Sequence, residues 1–244
     1  MNRRSAVVIV HLYPDLLLSY GDRGNVTTLA KRAEWRGFTV RVEDVTRSEP
    51  IPREARLILI GGGSDSLQSA VATDLAGRRN ELEAALEEGS VVFAICGGYQ
   101  LLGHRYIDSA GDAIEGVGLL DIETFAGTER IVGRVTGQGS LHDVRFRVSG
   151  FENHAGRTFL GSKAVPLMSV PEGQGNNTKD RTEGAVQGRV IGTYLHGPVL
   201  PSSPGLADAL LSKALEPWTG GAPLEPLDDT LENAASESAR SRGR

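Results

Sequence analysis

Three apolar runs in the first hundred residues constrain the fold of this chain more than any other feature. Residues 6–10, 56–60 and 91–95 are dominated by aliphatic side chains, and each run has the length of a strand. Continuous apolar runs without polar alternation are typical of strands that are buried on both faces of a parallel sheet. We therefore expect all three runs to lie inside one sheet.

Helical segments separate these runs. Asn25 is a suitable N-cap for a helix through residues 26–36, and residues 78–88 are rich in helix-forming side chains. A third helix is expected from Tyr99, directly after the last apolar run. With a further strand near residues 38–42, the predicted order is β-α-β-β-α-β-α. This alternation predicts an α/β fold with an open, mainly parallel sheet and helices on both faces.

The second half of the chain has a different pattern. Short strands joined by Gly-rich turns are predicted near residues 118–125, 131–135 and 143–148. Further β segments are expected at residues 165–170, 184–187 and 189–194. A last helix is predicted at residues 204–216, where Leu206, Leu210 and Leu211 share one face.

Composition sets the domain boundary and excludes several classes of function. Residues 219–244 have few large apolar side chains, so we predict one folded domain at residues 1–218 and a disordered C-terminal tail. The net charge of −5 gives no indication of nucleic-acid binding, and no apolar run approaches the roughly 20 residues that span a membrane. A single cysteine excludes internal disulfides and Cys-rich zinc sites, and it fits a cytoplasmic protein.

That cysteine, Cys96, stands where reactive nucleophiles are found. It ends a predicted strand and is followed at once by Gly97-Gly98 and a helix. Such a sharp strand-to-helix turn raises the middle side chain above the sheet edge, which is the geometry of a nucleophile elbow. The start of the following helix also favours a thiolate. The competing interpretation is a small buried apolar residue, as most lone cysteines are.

A nucleophilic thiol needs a base, and the chain offers five histidines. They are His11, His104, His142, His154 and His196. His196 follows a predicted strand, and sites in open parallel sheets gather at the carboxyl ends of strands. We therefore predict that His196 is the base. Oxyanion donors are expected from the Gly97 N–H and from the glycine run at residues 61–63.

These segments together resemble a known family. Cys96-Gly97-Gly98-Tyr99-Gln100, with a distant Tyr194-Leu195-His196-Gly197, resembles the class I (triad-type) glutamine amidotransferases. Residues 150–156 are similar to a segment of the cobyric acid synthase-like branch. Residues 13–17 and 20–25 resemble the glutaminase subunits of the GatD type, which serve lipid II isoglutaminyl synthases. The resemblance extends from about Val7 to Leu215 and implies the flavodoxin-like amidotransferase fold.

The resemblance also implies a role for each matched residue. Cys96 would attack the side-chain amide of L-glutamine. His196 would take the thiol proton and give it to the departing ammonia. Gly63 and Gly97 would bind the oxyanion. Arg130 would hold the α-carboxylate, with Arg134 as its rival for that role. Gln100, Asn153 and His154 would line the pocket. No metal site is expected.

One position departs from the family pattern and bears on the partner. Many amidotransferases of this class carry an acid two residues after the histidine, where this chain has Pro198. Either another acid of this chain or the partner would then complete the triad. The implied partner is a Mur ligase-like (MurT-type) subunit in a heterodimer. That subunit would use ATP and Mg²⁺ to amidate the D-glutamate of the lipid II stem peptide to D-isoglutamine, and this chain would carry no cofactor and no membrane insertion.

Two other functions stay open from the sequence. The chain could provide ammonia for a cobyrinate-type acceptor, although those synthases usually fuse a large ATP-binding domain to this one. It could also be a non-catalytic regulatory subunit, for which the missing acid at Pro198 is the only support.

Overall fold

The computed structural model describes residues 6–18, 21–141 and 144–241. His142, Tyr20 and the first residue of the strand predicted at residues 143–148 lie outside the described part. Thirteen strands and six helices are present in the described part. In chain order they are β1 Val7–Leu12, α1 Arg23–Glu34, β2 Val40–Val45, β3 Ala55–Ile60, α2 Asp65–Gly77, α3 Arg79–Glu87, β4 Val91–Ile95, α4 Gly97–Leu101, β5 Arg105–Ile107, β6 Ala113–Glu115, β7 Ile122–Leu141, β8 Val144–Leu160, β9 Met168–Glu172, β10 Thr182–Glu183, β11 Ala185–Gln187, β12 Val190–Thr193, β13 Leu195–His196, α5 Pro204–Thr219 and α6 Thr230–Ser241.

The first sheet contains the three apolar runs at its centre. Its strand order is β11-β12-β4-β3-β1-β2, and every neighbouring pair is parallel except β11 with β12. Every residue of β1 and β4 is buried, as the continuous apolar pattern predicted. The predicted α/β fold with an open, mainly parallel sheet is thus confirmed.

Two helices of the first half of the chain, α1 and α2, differ from prediction. α1 begins at Arg23, so Asn25 lies inside the helix, where its Oδ1 accepts the N–H of Leu200 at 2.9 Å instead of capping. α2 was not predicted at all. The signal was present, because Leu67, Val71 and Leu75 recur every four residues on one helix face.

The second sheet is built on one long hairpin, so the prediction of short strands in this region was wrong. β7 and β8 pair antiparallel over almost their whole length, with a register shift between Ala126 and Ile131. The glycines interpreted as turns lie within the strands. An added Cβ on Gly137 would stand 2.5 Å from the Met168 sulfur, and one on Gly139 would collide with the Leu167 carbonyl oxygen. These glycines therefore permit close packing of β9 rather than turns.

The last two strands connect the sheets. β12 ends at Thr193 in the first sheet, and two residues later β13 pairs with β8 of the second sheet. In that pairing Leu195 lies opposite Glu152, and His196 lies opposite Phe151. His196 therefore stands at the junction of the two sheets.

The segment after α5 is structured where composition predicted disorder. α6 occupies part of it, and the buried Arg32 of α1 binds Asp208 of α5 and Asp229 at 2.7 and 2.6 Å. Arg36 donates to the carbonyl oxygen of Glu225 at 2.7 Å. The composition argument counted apolar burial and not ion pairing, which holds this segment to the domain. The domain boundary at residue 218 stays a prediction.

Among the described residues, the helices are all too short or too polar to serve as a transmembrane span.

Candidate active site

Cys96 has a strained backbone at the turn between β4 and α4. Its φ and ψ are 49° and −104°, a combination that side chains with a Cβ rarely adopt. Its N–H donates to the Thr193 carbonyl at 2.8 Å, which ties the turn to the end of β12. Behind it, an added Cβ on Gly98 would lie 2.9 Å from the Ile60 carbonyl oxygen, so only glycine fits. This backbone has the form of the predicted nucleophile elbow.

His196 faces the same point as Cys96. A Cβ added to Gly62 would stand 2.9 Å from His196 Cε1 and 3.2 Å from Cys96 Cβ. The thiol-bearing residue of the first sheet and the imidazole at the sheet junction therefore flank one bare Cα atom. The structure brings together the two residues for which the sequence predicted nucleophile and base.

The imidazole of His196 is held in its neutral form. Only 1% of this residue is exposed. Burial, together with smaller effects of the nearby charges of His154 and Arg130, lowers the pKa of His196 to about 4. A neutral imidazole carries a basic lone pair on one ring nitrogen at pH 7, so this side chain can accept a proton from a thiol.

A cavity of about 170 Å³ opens over Cys96. Its lining contains six of the predicted site residues, namely Gly63, Cys96, Gln100, Arg130, Asn153 and His154. It also contains Ser64, Gln68, Tyr106, Ala155 and Gly156. Gly97 lies beside the cavity, where the space that a Cβ would take is filled by the Gln68 side chain at 2.9 Å. Since Gly97 is the first residue of α4, its N–H has no partner within the helix.

The structure distinguishes the two candidate arginines. Arg130 shares the cavity with Cys96, and its Nε donates to Asn153 Oδ1 at 2.5 Å while Nη2 donates to the Asn153 carbonyl at 3.2 Å. Arg134 lines a second cavity of about 430 Å³, next to His196 and Gly197. Arg130 is therefore the arginine that is placed to bind a carboxylate beside Cys96.

The remaining pocket side chains are ordered by Tyr194. Gln100 Nε2 donates to Tyr194 Oη at 3.2 Å, and the His154 ring stacks on the tyrosine ring with centroids 3.6 Å apart. His154 Nδ1 lies 2.9 Å from the Gly156 carbonyl oxygen, which can only accept, so Nδ1 carries the proton. Residues 152–156 belong to β8. Glu152 pairs with both β7 and β13, whereas Asn153, His154 and Gly156 pair with β7 alone, on either side of a register shift.

Two buried carboxylates support the site and were not identified as supports from the sequence. Glu183 accepts hydrogen bonds from Thr193 Oγ1 at 2.8 Å and the Tyr194 N–H at 2.6 Å, and burial raises the pKa of Glu183 to about 7. Glu152 accepts the N–H groups of Gln174 and Gly175 at 2.8 and 2.9 Å. Glu183 thus binds the backbone directly before β13. Glu152 binds the segment between β9 and β10, and its own backbone pairs with Leu195 of β13.

The other described histidines are engaged elsewhere. His11 is buried at the end of β1, 3.8 Å from Asp44, and His104 lies 3.0 Å from Asp121 Oδ1. Pro198, at the position where many family members have an acid, packs on Gly24 of α1, where an added Cβ would meet its Cγ at 2.5 Å. That position is apolar in this chain.

Comparison with known proteins identifies the family of this chain. Residues 8–204 match the CobB/CobQ-like glutamine amidotransferase domain. The lipid II isoglutaminyl synthase (glutamine-hydrolyzing) subunit GatD of Staphylococcus aureus is 38% identical over 235 residues, which is 96% of this chain and 93% of that protein. The corresponding subunit of Streptococcus pneumoniae is 38% identical over 211 residues, which is 85% of this chain and 80% of that protein.

More distant relatives include longer enzymes and solved structures. Cobyric acid synthase of Sphingopyxis alaskensis is 33% identical over 202 residues, which cover 80% of this chain and 39% of that enzyme. The structure of PurLQS from Thermotoga maritima superposes with a TM-score of 0.56 at 16% identity, covering 87% of this chain and 96% of that one. The structure of a glutamine amidotransferase from the same organism superposes with a TM-score of 0.53 at 13% identity, covering 98% of this chain and 95% of that one. These structures share the fold.

Proposed function

Because the chain belongs to the CobB/CobQ-like glutamine amidotransferase family, we propose that it is the glutaminase subunit of a lipid II isoglutaminyl synthase. One observation carries the catalytic part of this proposal, namely that strained Cys96 and neutral His196 flank Gly62 beside a cavity that also contains Arg130. The relatives that match over most of their length carry the rest, since both are named as glutamine-hydrolysing subunits of that synthase.

Substrate binding would use opposite charges. The α-carboxylate of L-glutamine would pair with the Arg130 guanidinium, which Asn153 orients through two hydrogen bonds. Gln100 and His154 would contact the rest of the amino acid from the wall of the cavity. The side-chain amide would then lie at Cys96.

The reaction would proceed through a thioester. Cys96 Sγ attacks the amide carbon while its proton passes to His196, and the carbonyl electrons move to oxygen, where the N–H groups of Gly63 and Gly97 would stabilise the charge. The tetrahedral intermediate breaks its C–N bond, and His196 returns the proton to the leaving nitrogen, which departs as ammonia. Water then attacks the thioester, releases glutamate and restores the thiol.

The ammonia would be consumed by a second subunit. In this proposal a Mur ligase-like partner binds ATP and Mg²⁺, activates the α-carboxylate of D-glutamate in the lipid II stem peptide and forms D-isoglutamine. The heterodimer would act in the cytoplasm, this chain would bind no cofactor or nucleic acid, and the acid beside His196 would come from either subunit.

The alternative acceptor has weaker support. The chain spans 39% of the cobyric acid synthase it resembles, whereas it spans 93% and 80% of the two GatD relatives. Strain at Cys96 also argues against a non-catalytic subunit, since such strain is retained where it serves a function.

Glutamate release from L-glutamine tests the proposal, with the chain alone and with a Mur ligase-like partner. Cys96→Ala should abolish release, and His196→Ala should reduce it strongly, whereas the matched variant His104→Ala should keep it. Because the chain has one cysteine, diazo-oxo-norleucine should label it once. Full activity of Cys96→Ala would reject the nucleophile, and inactivity of every mixture would reject the enzyme. A complex that accepts a cobyrinate and not lipid II would reject the proposed acceptor.

A further inference from the structure

The peptide between Gly61 and Gly62 is held from two sides. The Gly62 N–H donates to Asp22 Oδ2 at 2.7 Å, and the Gly61 carbonyl accepts the Gly98 N–H at 3.1 Å. Gly98 belongs to the turn that carries Cys96, whereas Asp22 stands at the start of α1. Residues 61–63, which we call the glycine loop, are therefore hydrogen-bonded both to the turn at Cys96 and to the start of α1.

The Asp22 side chain does not cap its own helix. Asp22 occupies the N-cap position of α1, where aspartate usually accepts a backbone N–H of the first turn, but its side chain makes no capping hydrogen bond there. Its carboxylate reaches the glycine loop instead, and an added Cβ on Gly61 would lie 2.9 Å from Oδ2. The Leu17 carbonyl oxygen would lie nearer still, so this oxygen and the Asp22 carboxylate together leave no room for a larger residue at Gly61.

This arrangement is costly for the folded chain. Asp22 is 2% exposed, and its second oxygen, Oδ1, is buried without a hydrogen-bond partner in the described part of the structure. Burial also raises the pKa of Asp22 to about 7. An unsatisfied buried acceptor destabilises the folded chain, so a favourable effect elsewhere must explain why it is kept.

The next peptide shows what that gain is. The N–H of Gly63 belongs to the peptide that follows the anchored one, and Gly63 lines the cavity with Cys96. On its other side, the Gly63 carbonyl accepts Gln68 Nε2 at 3.3 Å. The peptide that carries the Gly63 N–H is therefore fixed at both ends, by Asp22 before it and by Gln68 after it.

We propose that Asp22 is a positioning residue for the oxyanion site, which holds the glycine loop so that the Gly63 N–H points at the carbonyl oxygen of bound glutamine. The inference rests on the proposed function, because it assigns the Gly63 N–H to that oxyanion. Its effect is confined to the transition state, in which the carbonyl oxygen becomes charged.

Asp22→Ala and Asp22→Asn test this role in the full chain together with its partner. Asp22→Ala should lower kcat by about 10- to 100-fold and change KM by less than about threefold, because the lost stabilisation is specific to the transition state. Asp22→Asn keeps an acceptor oxygen for the Gly62 N–H and should recover most of kcat. The matched control Asp44→Asn, at an exposed carboxylate on β2, should behave as wild type.

Two further measurements separate positioning from general damage. Alkylation of Cys96 by iodoacetamide involves no oxyanion, so its rate should be the same in Asp22→Ala and wild type. Amide hydrogen exchange at residues 61–63 should be faster in Asp22→Ala. Unchanged kcat or unchanged exchange would overturn the proposal, as would equal losses in kcat and alkylation rate. If wild type releases no glutamate, the proposed function fails, while the exchange measurement still decides whether Asp22 fixes the loop.

Discussion

Cys96 and His196 meet across the bare Cα atom of Gly62. They come from different sheets, since Cys96 follows β4 of the first sheet and His196 ends β13 of the second. A side chain at Gly62 would stand 2.9 Å from His196 Cε1 and 3.2 Å from Cys96 Cβ. The approach of the two residues thus depends on the absence of a side chain from a third segment.

Gly62→Ala should therefore separate the pair. The new methyl group would be bonded to the Gly62 Cα, and the Cys96 Cβ is bonded directly to its own Cα, so neither can move without a shift of the backbone. The methyl group can therefore be accommodated only by displacing the His196 side chain. We expect at least about a 100-fold loss of glutaminase activity, since small displacements of catalytic groups have effects of that size. Gly77→Ala is the matched control, because nothing lies within 4 Å of its Cβ position in α2. Activity of Gly62→Ala near that of Gly77→Ala would show that the pair tolerates displacement.

The acid limb of the pH profile should lie unusually low. The pKa of His196 is lowered to about 4, so the base should stay neutral until the pH falls toward that value. The profile of kcat/KM reports the free enzyme, and we expect its decline well below pH 6.5. Arg130→Gln removes one of the positive charges that lower this pKa, so its acid limb should move to higher pH. A wild-type limb near 6.5 would contradict a buried, neutral His196.

Arg130 should contribute mainly to binding. Its guanidinium lines the cavity with Cys96 and is oriented by Asn153, whereas Arg134 lines the cavity beside His196. Arg130→Lys loses the fork that matches a carboxylate, so KM for glutamine should rise about tenfold or more with a smaller change in kcat. Arg134→Lys is the comparison and should change KM little. The reverse order of effects would assign the carboxylate to Arg134.

Glu183 should make stability fall as pH rises. Burial raises the pKa of Glu183 from 4.5 to about 7, so the folded chain keeps a proton that the unfolded chain loses between these values. The contribution of Glu183 to the free energy of unfolding is therefore fully present below pH 4.5. It decreases by up to ~3 kcal/mol as the pH rises to about 7. Urea unfolding at pH 5 and pH 8 should show wild type losing stability relative to Glu183→Gln. The exposed control Glu172→Gln should follow wild type at both pH values, and parallel curves for all three would reject the shift.

Arg32 should hold the C-terminal segment to the domain. It is 2% exposed and binds Asp208 and Asp229. Arg32→Leu therefore removes the cation that Asp229 binds, whereas Asp208 keeps its ion pair with Arg36. Breaking a buried pair in this way typically costs about 3 kcal/mol. Limited proteolysis should then cut residues 220–229 much faster in Arg32→Leu than in wild type or in the exposed neighbour Lys31→Ala. Equal cutting rates would indicate that this segment is mobile in the intact chain, as its composition predicted.

The local sequence pattern was sufficient to predict the central strands of the first sheet and the sharp turn at Cys96. β1, β3 and β4 could be predicted because a strand buried on both faces must be apolar throughout. Cys96 could be predicted because strand, cysteine, two glycines and helix are contiguous in the chain. α2 was missed although its periodic apolar residues were present in the sequence. The N-terminus of α1 was misplaced, since the Asn25 side chain binds Leu200, a residue far away in sequence.

The second sheet shows where local pattern fails. Glycine has two uses, in turns and where another backbone approaches closely, and composition cannot distinguish them. At Gly137 and Gly139 the second use holds, because β9 packs there. The C-terminal segment was misinterpreted for a related reason, since its attachment includes the ion pair of Asp229 with Arg32 in addition to the packing of Leu224 on the core.

The α/β architecture, the position of Cys96 in a sharp turn and the resemblance that led to His196 and Arg130 could all be predicted from the amino-acid sequence. The fold was needed to show that Arg130 and not Arg134 shares a cavity with Cys96, that Gly62 lies between Cys96 and His196, and that Asp22 binds the Gly62 N–H. The first group of features depends mainly on residues that are adjacent in the chain. The second depends on the register of β7 with β8 and on the step from β12 to β13, which are fixed by contacts between residues far apart in sequence.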